Sequence, residues 1–169
     1  MAANARVRVF LLRGTVYGCS LRTHNQFRLG IVKNCQTAAR VGPVVVAGDE
    51  AAYGLERCGI DTGSTEVIVR RLTDGRQLRS EASIAGMLGP ESFESVDSLV
   101  LKPDGAAAWI ATGKSIVHVG SKLVELHRVD SRGSALLDSG TAIKPGSLVL
   151  HGSRLSWRHG GAVRTSTLH

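Results

Sequence analysis

Residues 99–111 read LVLKPDGAAAWIA: an apolar run over Leu99–Leu101, a Pro103-Asp104-Gly105 turn, and a second apolar run carrying Trp109. Both arms have the length of strands rather than helices, and Asp-Gly between two such runs is a strong local signal for a β-hairpin. Three other places repeat the pattern less sharply. Tyr17, Tyr53, Trp109 and Trp157 stand 36, 56 and 48 residues apart. Phe10, Val46 and Leu150 lie seven residues before their aromatics. Leu101 lies eight before Trp109, the extra position being taken up by the longer turn. Gly48 and Gly152 each fall five residues before the aromatic.

Beyond the aromatic the pattern continues as strand, glycine turn, strand. VIVRRLTDGRQL (67–78) and VELHRVDSRGSALL (124–137) are two instances, with turns at Asp74-Gly75 and Arg132-Gly133. Each unit therefore holds about four short strands over about 45 residues, a period that suits a propeller blade. The expected fold is all-β, an antiparallel meander of such four-stranded units forming a partial or small β-propeller. One domain, 1–169, divides into units 6–40, 41–95, 96–143 and 144–169. The aromatic of each second strand is expected to pack between neighbouring sheets, where a large flat side chain buries much area.

Elsewhere the chain follows the same grammar. VRVFLLRGTVYGCSL (7–21) reads as strand, Arg13-Gly14 turn, strand, and a third strand follows near Phe27–Val32, with 33–42 as a connection. A hairpin turns at Gly48-Asp49, and CGIDTGST (58–65) reads as a loop. Residues 80–95 have room for one helical turn before Gly86 and Gly89-Pro90 stop it. The last unit ends after its third strand. In a closed ring, the strand near Val7–Phe10 would supply the missing one; otherwise sheet edges stay open and invite self-association.

These hairpins, with LLDSG (136–140) and IKPGSLVLHGSRLSW (143–157), resemble TolB-like and WD40-like repeats, and the terminal blades of actinobacterial propeller-like proteins, which are often secreted. The resemblance implies a propeller fold, a binding or scaffold role for a protein or small-ligand partner, and an extracytoplasmic address. It brings no catalytic residue and no cofactor. Three to four units are fewer than a six- or seven-bladed ring requires. The first residues lack the 7–15-residue apolar core of a signal peptide, which fits a start that has lost an N-terminal portion.

Composition narrows the alternatives. The chain has 169 residues, enough for one domain with a sizeable core, and its net charge is +7. Arginines are spread along it rather than clustered with aromatics, which argues against nucleic acid while leaving a basic polyanion-binding surface as a second reading. No run of 18 apolar residues is present. Of the three cysteines, Cys19 and Cys35 flank a hairpin and form the candidate disulfide; Cys58 follows another strand, and free buried thiols are the alternative.

Two motifs could carry catalysis. Asp61-Thr62-Gly63-Ser64-Thr65 and Asp138-Ser139-Gly140-Thr141 resemble the signature of aspartic proteases, whose chemistry needs two carboxylates sharing a proton. Seventy-seven residues between them are too few for two pepsin-type lobes, and such sequences are ordinary turns in which Asp caps and Gly takes positive φ. His118, His127, His151 and His159 lack metal-ligand spacing and read as exposed strand residues, so no metal is expected. G-x-S-x-G, P-loop and G-x-G-x-x-G motifs are absent. The sequence thus points to a non-catalytic domain.

Overall fold

The structure, a computed structural model, describes residues 1–60, 63–86, 92–115 and 122–169. Fourteen strands are found among them. They are β1 (Val7–Leu12), β2 (Thr15–Ser20), β3 (Gln26–Ile31), β4 (Arg40–Ala47), β5 (Glu50–Cys58), β6 (Gly63–Arg71), β7 (Gln77–Ala82), β8 (Ser92–Leu101), β9 (Ala107–Ser115), β10 (Lys122–Asp130), β11 (Gly133–Ser139), β12 (Val149–His151), β13 (Arg154–His159) and β14 (Ala162–Thr167). A short 3₁₀ turn, Pro145–Ser147, precedes β12. The protein is all-β, and among the described residues none of its sheets closes on itself. No helix among the described residues is long and apolar enough to cross a membrane.

The opening hairpin forms as its residues dictate. Leu99 on β8 faces Trp109 on β9 in register. Gly105 takes a φ of +83°, and Asp104 accepts a hydrogen bond from the Ala106 N–H at 3.0 Å. Burial would raise the Asp104 pKa, but that bond and Lys102 outweigh it and hold the carboxyl below its ordinary range. β9 is buried along both faces from Ala107 to Gly113. Such a strand reads as a continuous apolar run because it has a sheet on either side.

Strands pair as three sheets: β1 through β7 in sequence order, β11-β10-β9-β8, and β12-β13-β14. Among the described residues every strand pairing is antiparallel except one. β3 meets β4 through a single parallel bridge, Ile31 to Arg40, so the seven-stranded sheet is two meanders joined at one rung. These meanders turn their apolar faces on each other: Val7, Val9, Val16 and Leu29 pack with Tyr53, Leu55, Ile68 and Leu72. The other face of the second meander, with Ala52, Val67 and Val69, packs on Leu99, Leu101 and Trp109. The far side of β9 and β10, with Ala108, Ile110 and Leu126, packs on Leu155 and Trp157. Four meanders, β1–β3, β4–β7, β8–β11 and β12–β14, thus stack in series with three apolar layers between them. Their first strands adjoin: β1 lies by β4, β4 by β8, and β8 by β12.

Several expectations need correction. β5 continues to Cys58 and β6 begins at Gly63, so the loop expected at 58–65 is shorter, with 61–62 outside the described residues. β4 starts at Arg40 and β8 at Ser92, so the unit limits set at 41 and 96 cut into strands. β7 extends to Ala82, which removes part of the span expected to hold a helical turn, while 87–91 lie outside the described residues. β1 pairs with β2 and does not complete the last sheet.

Candidate functional site

The four aromatics occupy the second strand of each meander: Tyr17 on β2, Tyr53 on β5, Trp109 on β9 and Trp157 on β13. Tyr53, Trp109 and Trp157 are at most 4% exposed, and each faces the meander that precedes its own. Burial pushes the Tyr53 hydroxyl pKa up, against the pull of Arg70 and Arg57. Tyr17 differs. Val16 beside it points into the first apolar layer, so Tyr17 lies on the outer face of β1–β3, half-buried and stacked on Phe10 with ring centroids 5.9 Å apart.

The cysteine pairing expected from the sequence is wrong. Cys35 is joined to Cys58, and Cys19 is a free, buried thiol. Cys35 sits in the connection after β3, and the parallel Ile31–Arg40 bridge delivers that connection to the end of β5. Cys19 instead pairs across strands with Arg8 and Gln26 inside the first meander, away from both. Glu56 Oε1 approaches the two sulfurs at 3.8 and 3.6 Å while Arg40 holds its other oxygen. Cys35, Glu56 and Cys58 form a group of metal-ligand type among the described residues, but both sulfurs are spent in the disulfide.

Asp138, at the end of β11, is almost wholly buried between the third and fourth meanders. Its carboxylate accepts hydrogen bonds from Trp157 Nε1 at 2.6 Å and Arg164 Nη1 at 2.8 Å, and lies 2.9 Å from His159 Nδ1. The Ser139 N–H adds a fourth contact at 3.0 Å. Burial alone would raise its pKa, but the Trp157 and His159 bonds and the charges of His159 and Arg164 prevail and hold it low. An acid so held stays ionised at neutral pH. Asp61 lies outside the described residues. What Asp138 does is clamp β11 to β13 and β14.

A second buried polar cluster links the second and third meanders. Glu125 and His127 alternate on β10 and so share a face, with His127 Nε2 2.7 Å from Glu125 Oε2. The same oxygen accepts the Ala85 N–H at 2.8 Å. The His127 ring stacks on Trp109, centroids 5.4 Å apart, and Trp109 Nε1 donates to the Ser83 carbonyl at 2.9 Å. Ser83 Oγ in turn donates to Glu94 Oε2. The expectation that the histidines are exposed therefore fails for His127, which is buried, and for His159, which is half-buried against Asp138. His151 is exposed, and His118 lies outside the described residues. Strand parity could have marked Glu125 and His127 as a pair; nothing local marks Ser83 or Glu94, whose roles come from the layer they meet across.

Charge is distributed unevenly along the stack. All fourteen acidic residues fall between Asp49 and Asp138. Before them stand Arg6, Arg8, Arg13, Arg22, Arg28, Lys33 and Arg40 with no acid; after them stand Lys144, Arg154, Arg158 and Arg164, again with none. The two end meanders are thus basic and the middle two acidic. No protein-family model matches the chain, and no curated protein matches it.

Proposed function

We propose that the chain is a non-catalytic binding or scaffold module, its four meanders being consecutive blades of β-propeller type. One observation carries the reading: the second-strand aromatics of the last three meanders all face the meander before them, and Tyr17 holds the same place on the outer face of the first. The adjoining first strands support it, because blades meet around an axis through their first strands. The fate of the chemistry-bearing residues supports the absence of catalysis. Asp138 and His159 tie β11 to β13, Glu125 accepts the Ala85 N–H from the segment after β7, and His127 bonds Glu125 on its own strand and stacks on Trp109.

Hydrolysis assays on a denatured protein from pH 3 to 7, with wild type and Asp138→Asn in parallel, test this. Wild type should show no turnover, and the variant should lose thermal stability. Turnover that disappears in Asp138→Asn while its melting is unchanged would overturn the reading.

A further inference from the structure

We propose that Cys35, Glu56 and Cys58 form a redox-gated zinc site: the disulfide is its closed state, and reduction opens it to one Zn²⁺ ion. The inference is independent of the binding-module reading and starts from the Glu56 carboxylate. Arg40 holds one oxygen, Oε2, with Nε donating to it at 2.7 Å. The other, Oε1, lies 3.8 Å from Cys35 Sγ and 3.6 Å from Cys58 Sγ. Bridged sulfurs carry no hydrogen, so neither can donate to Oε1 in the oxidised chain. Among the described residues no other group donates to it. A carboxylate oxygen on a side chain only 13% exposed is thus aimed at two sulfurs that give it nothing.

The distances fit zinc. Tetrahedral Zn²⁺ takes thiolate sulfur at about 2.3 Å and carboxylate oxygen at about 2.0 Å, which sets sulfur–oxygen edges of about 3.5 Å and a sulfur–sulfur edge of about 3.8 Å. Both sulfur–oxygen edges already lie within about 0.3 Å of that value. Only the two sulfurs must part, by rotation about their Cα–Cβ bonds. Backbone pairing holds the ligands without the bridge: the Ile31–Arg40 rung brings the Cys35 connection to β4, and Arg40 stands opposite Glu56 in the β4–β5 register. Arg40 fixes the carboxylate as a second-layer partner does around a metal ligand. Two thiolates and a carboxylate with Arg40 and a divalent ion sum to zero charge, which favours Zn²⁺ over monovalent copper. A cleft of about 200 Å³ between the second and third meanders, lined by Arg40, Gly42, Gly54 and Ser95 among others, reaches Glu56 and gives ions and a fourth, water ligand a way in.

The chemistry closes with a dithiol as reductant. Its two thiols become a disulfide, and their two electrons and two protons pass to Cys35 and Cys58, which become thiols. Zn²⁺ then displaces both S–H protons to solvent as the two zinc–sulfur bonds form.

The test uses the whole chain, reduced with dithiothreitol that is then removed by gel filtration without oxygen, and titrated with Zn²⁺ against a chromophoric zinc indicator. The reduced chain should bind one Zn²⁺ and the oxidised chain none. Glu56→Gln should weaken binding by the reduced chain at least about tenfold. Cys19→Ser, which removes the third thiol, should alter it less than about twofold. In a second measurement, which needs no substitution, zinc at about 100 times its dissociation constant should raise the melting temperature of the reduced chain by about 5 °C or more and leave that of the oxidised chain unchanged. Binding by the oxidised chain, no binding by the reduced chain, equal affinity in Glu56→Gln, loss of binding in Cys19→Ser, or a reduced chain that melts no higher with zinc would each overturn the proposal.

Discussion

Single residues hold the stack together where an alternating sequence would not reveal it. Asp138 collects an indole, an imidazole and a guanidinium from two strands of the next meander. Replacing it by Asn leaves the buried Trp157 N–H and the two cations with a weaker, uncharged acceptor, and Asp138→Asn should cost about 2–4 kcal/mol. Chemical denaturation read by tryptophan fluorescence measures this directly, since Trp157 is one of the three donors. Trp109 carries more apolar area than any neighbour and is 1% exposed. Trp109→Ala should cost about 3–5 kcal/mol, less if the Ala-rich layer around it collapses. A loss under about 1 kcal/mol would mean the layer between the second and third meanders contributes little.

At the scale of elements, turns and the disulfide set which strands can meet. Gly75 has a φ of +75°, and a Cβ there would fall 2.3 Å from the Phe27 ring. Gly133 has a φ of +94° with open space around it. Both Ala variants incur left-handed strain of about 1–2 kcal/mol, but only Gly75→Ala also pushes on a ring in the first layer. It should be the more destabilising of the two, and equal denaturation midpoints would refute the contact. The Cys35–Cys58 bridge spans 23 residues and ties the connection after β3 to the end of β5. Breaking it by Cys35→Ser/Cys58→Ser should lower stability by about 3 kcal/mol on chain-entropy grounds. Cys19 should remain unreactive to a thiol reagent until the chain unfolds, because it is buried within the first meander.

Across the whole molecule, three aspartates share one pH signature. Asp104, Asp130 and Asp138 are each penalised by burial, yet the cations and N–H groups around them hold their pKa values below the ordinary value. A depressed carboxyl pKa contributes stability that is full above the unfolded-state value, about 3.9, and is lost as pH falls through the folded-state value. Thermal stability should therefore be level near neutrality and drop below about pH 4. Asp138→Asn should show a shallower acid drop than wild type; an unchanged slope would mean that folding does not lower the Asp138 pKa. The segregation of acids to residues 49–138 also acts at this scale, since it leaves both ends of the stack basic.

Local residue chemistry was enough for most of the strands. LVLKPDGAAAWIA could be read as a hairpin because Asp104-Gly105 accepts only a turn, and Trp109 could be assigned to a core because flat apolar area must be buried somewhere. The acid-free ends were equally present in the sequence, hidden by the even spread of the arginines. The disulfide was not legible: Cys35 and Cys58 meet because one parallel rung carries a polar connection across to another meander. Nor were the partners of Asp138 and His127, since an alternating strand shows which side chains share a face but not what that face meets. Hydrophobic period and turn chemistry are properties of neighbours in sequence, and they determined the strands. The partners of buried charges are properties of neighbours in space, and only the stacking of the four meanders decided them.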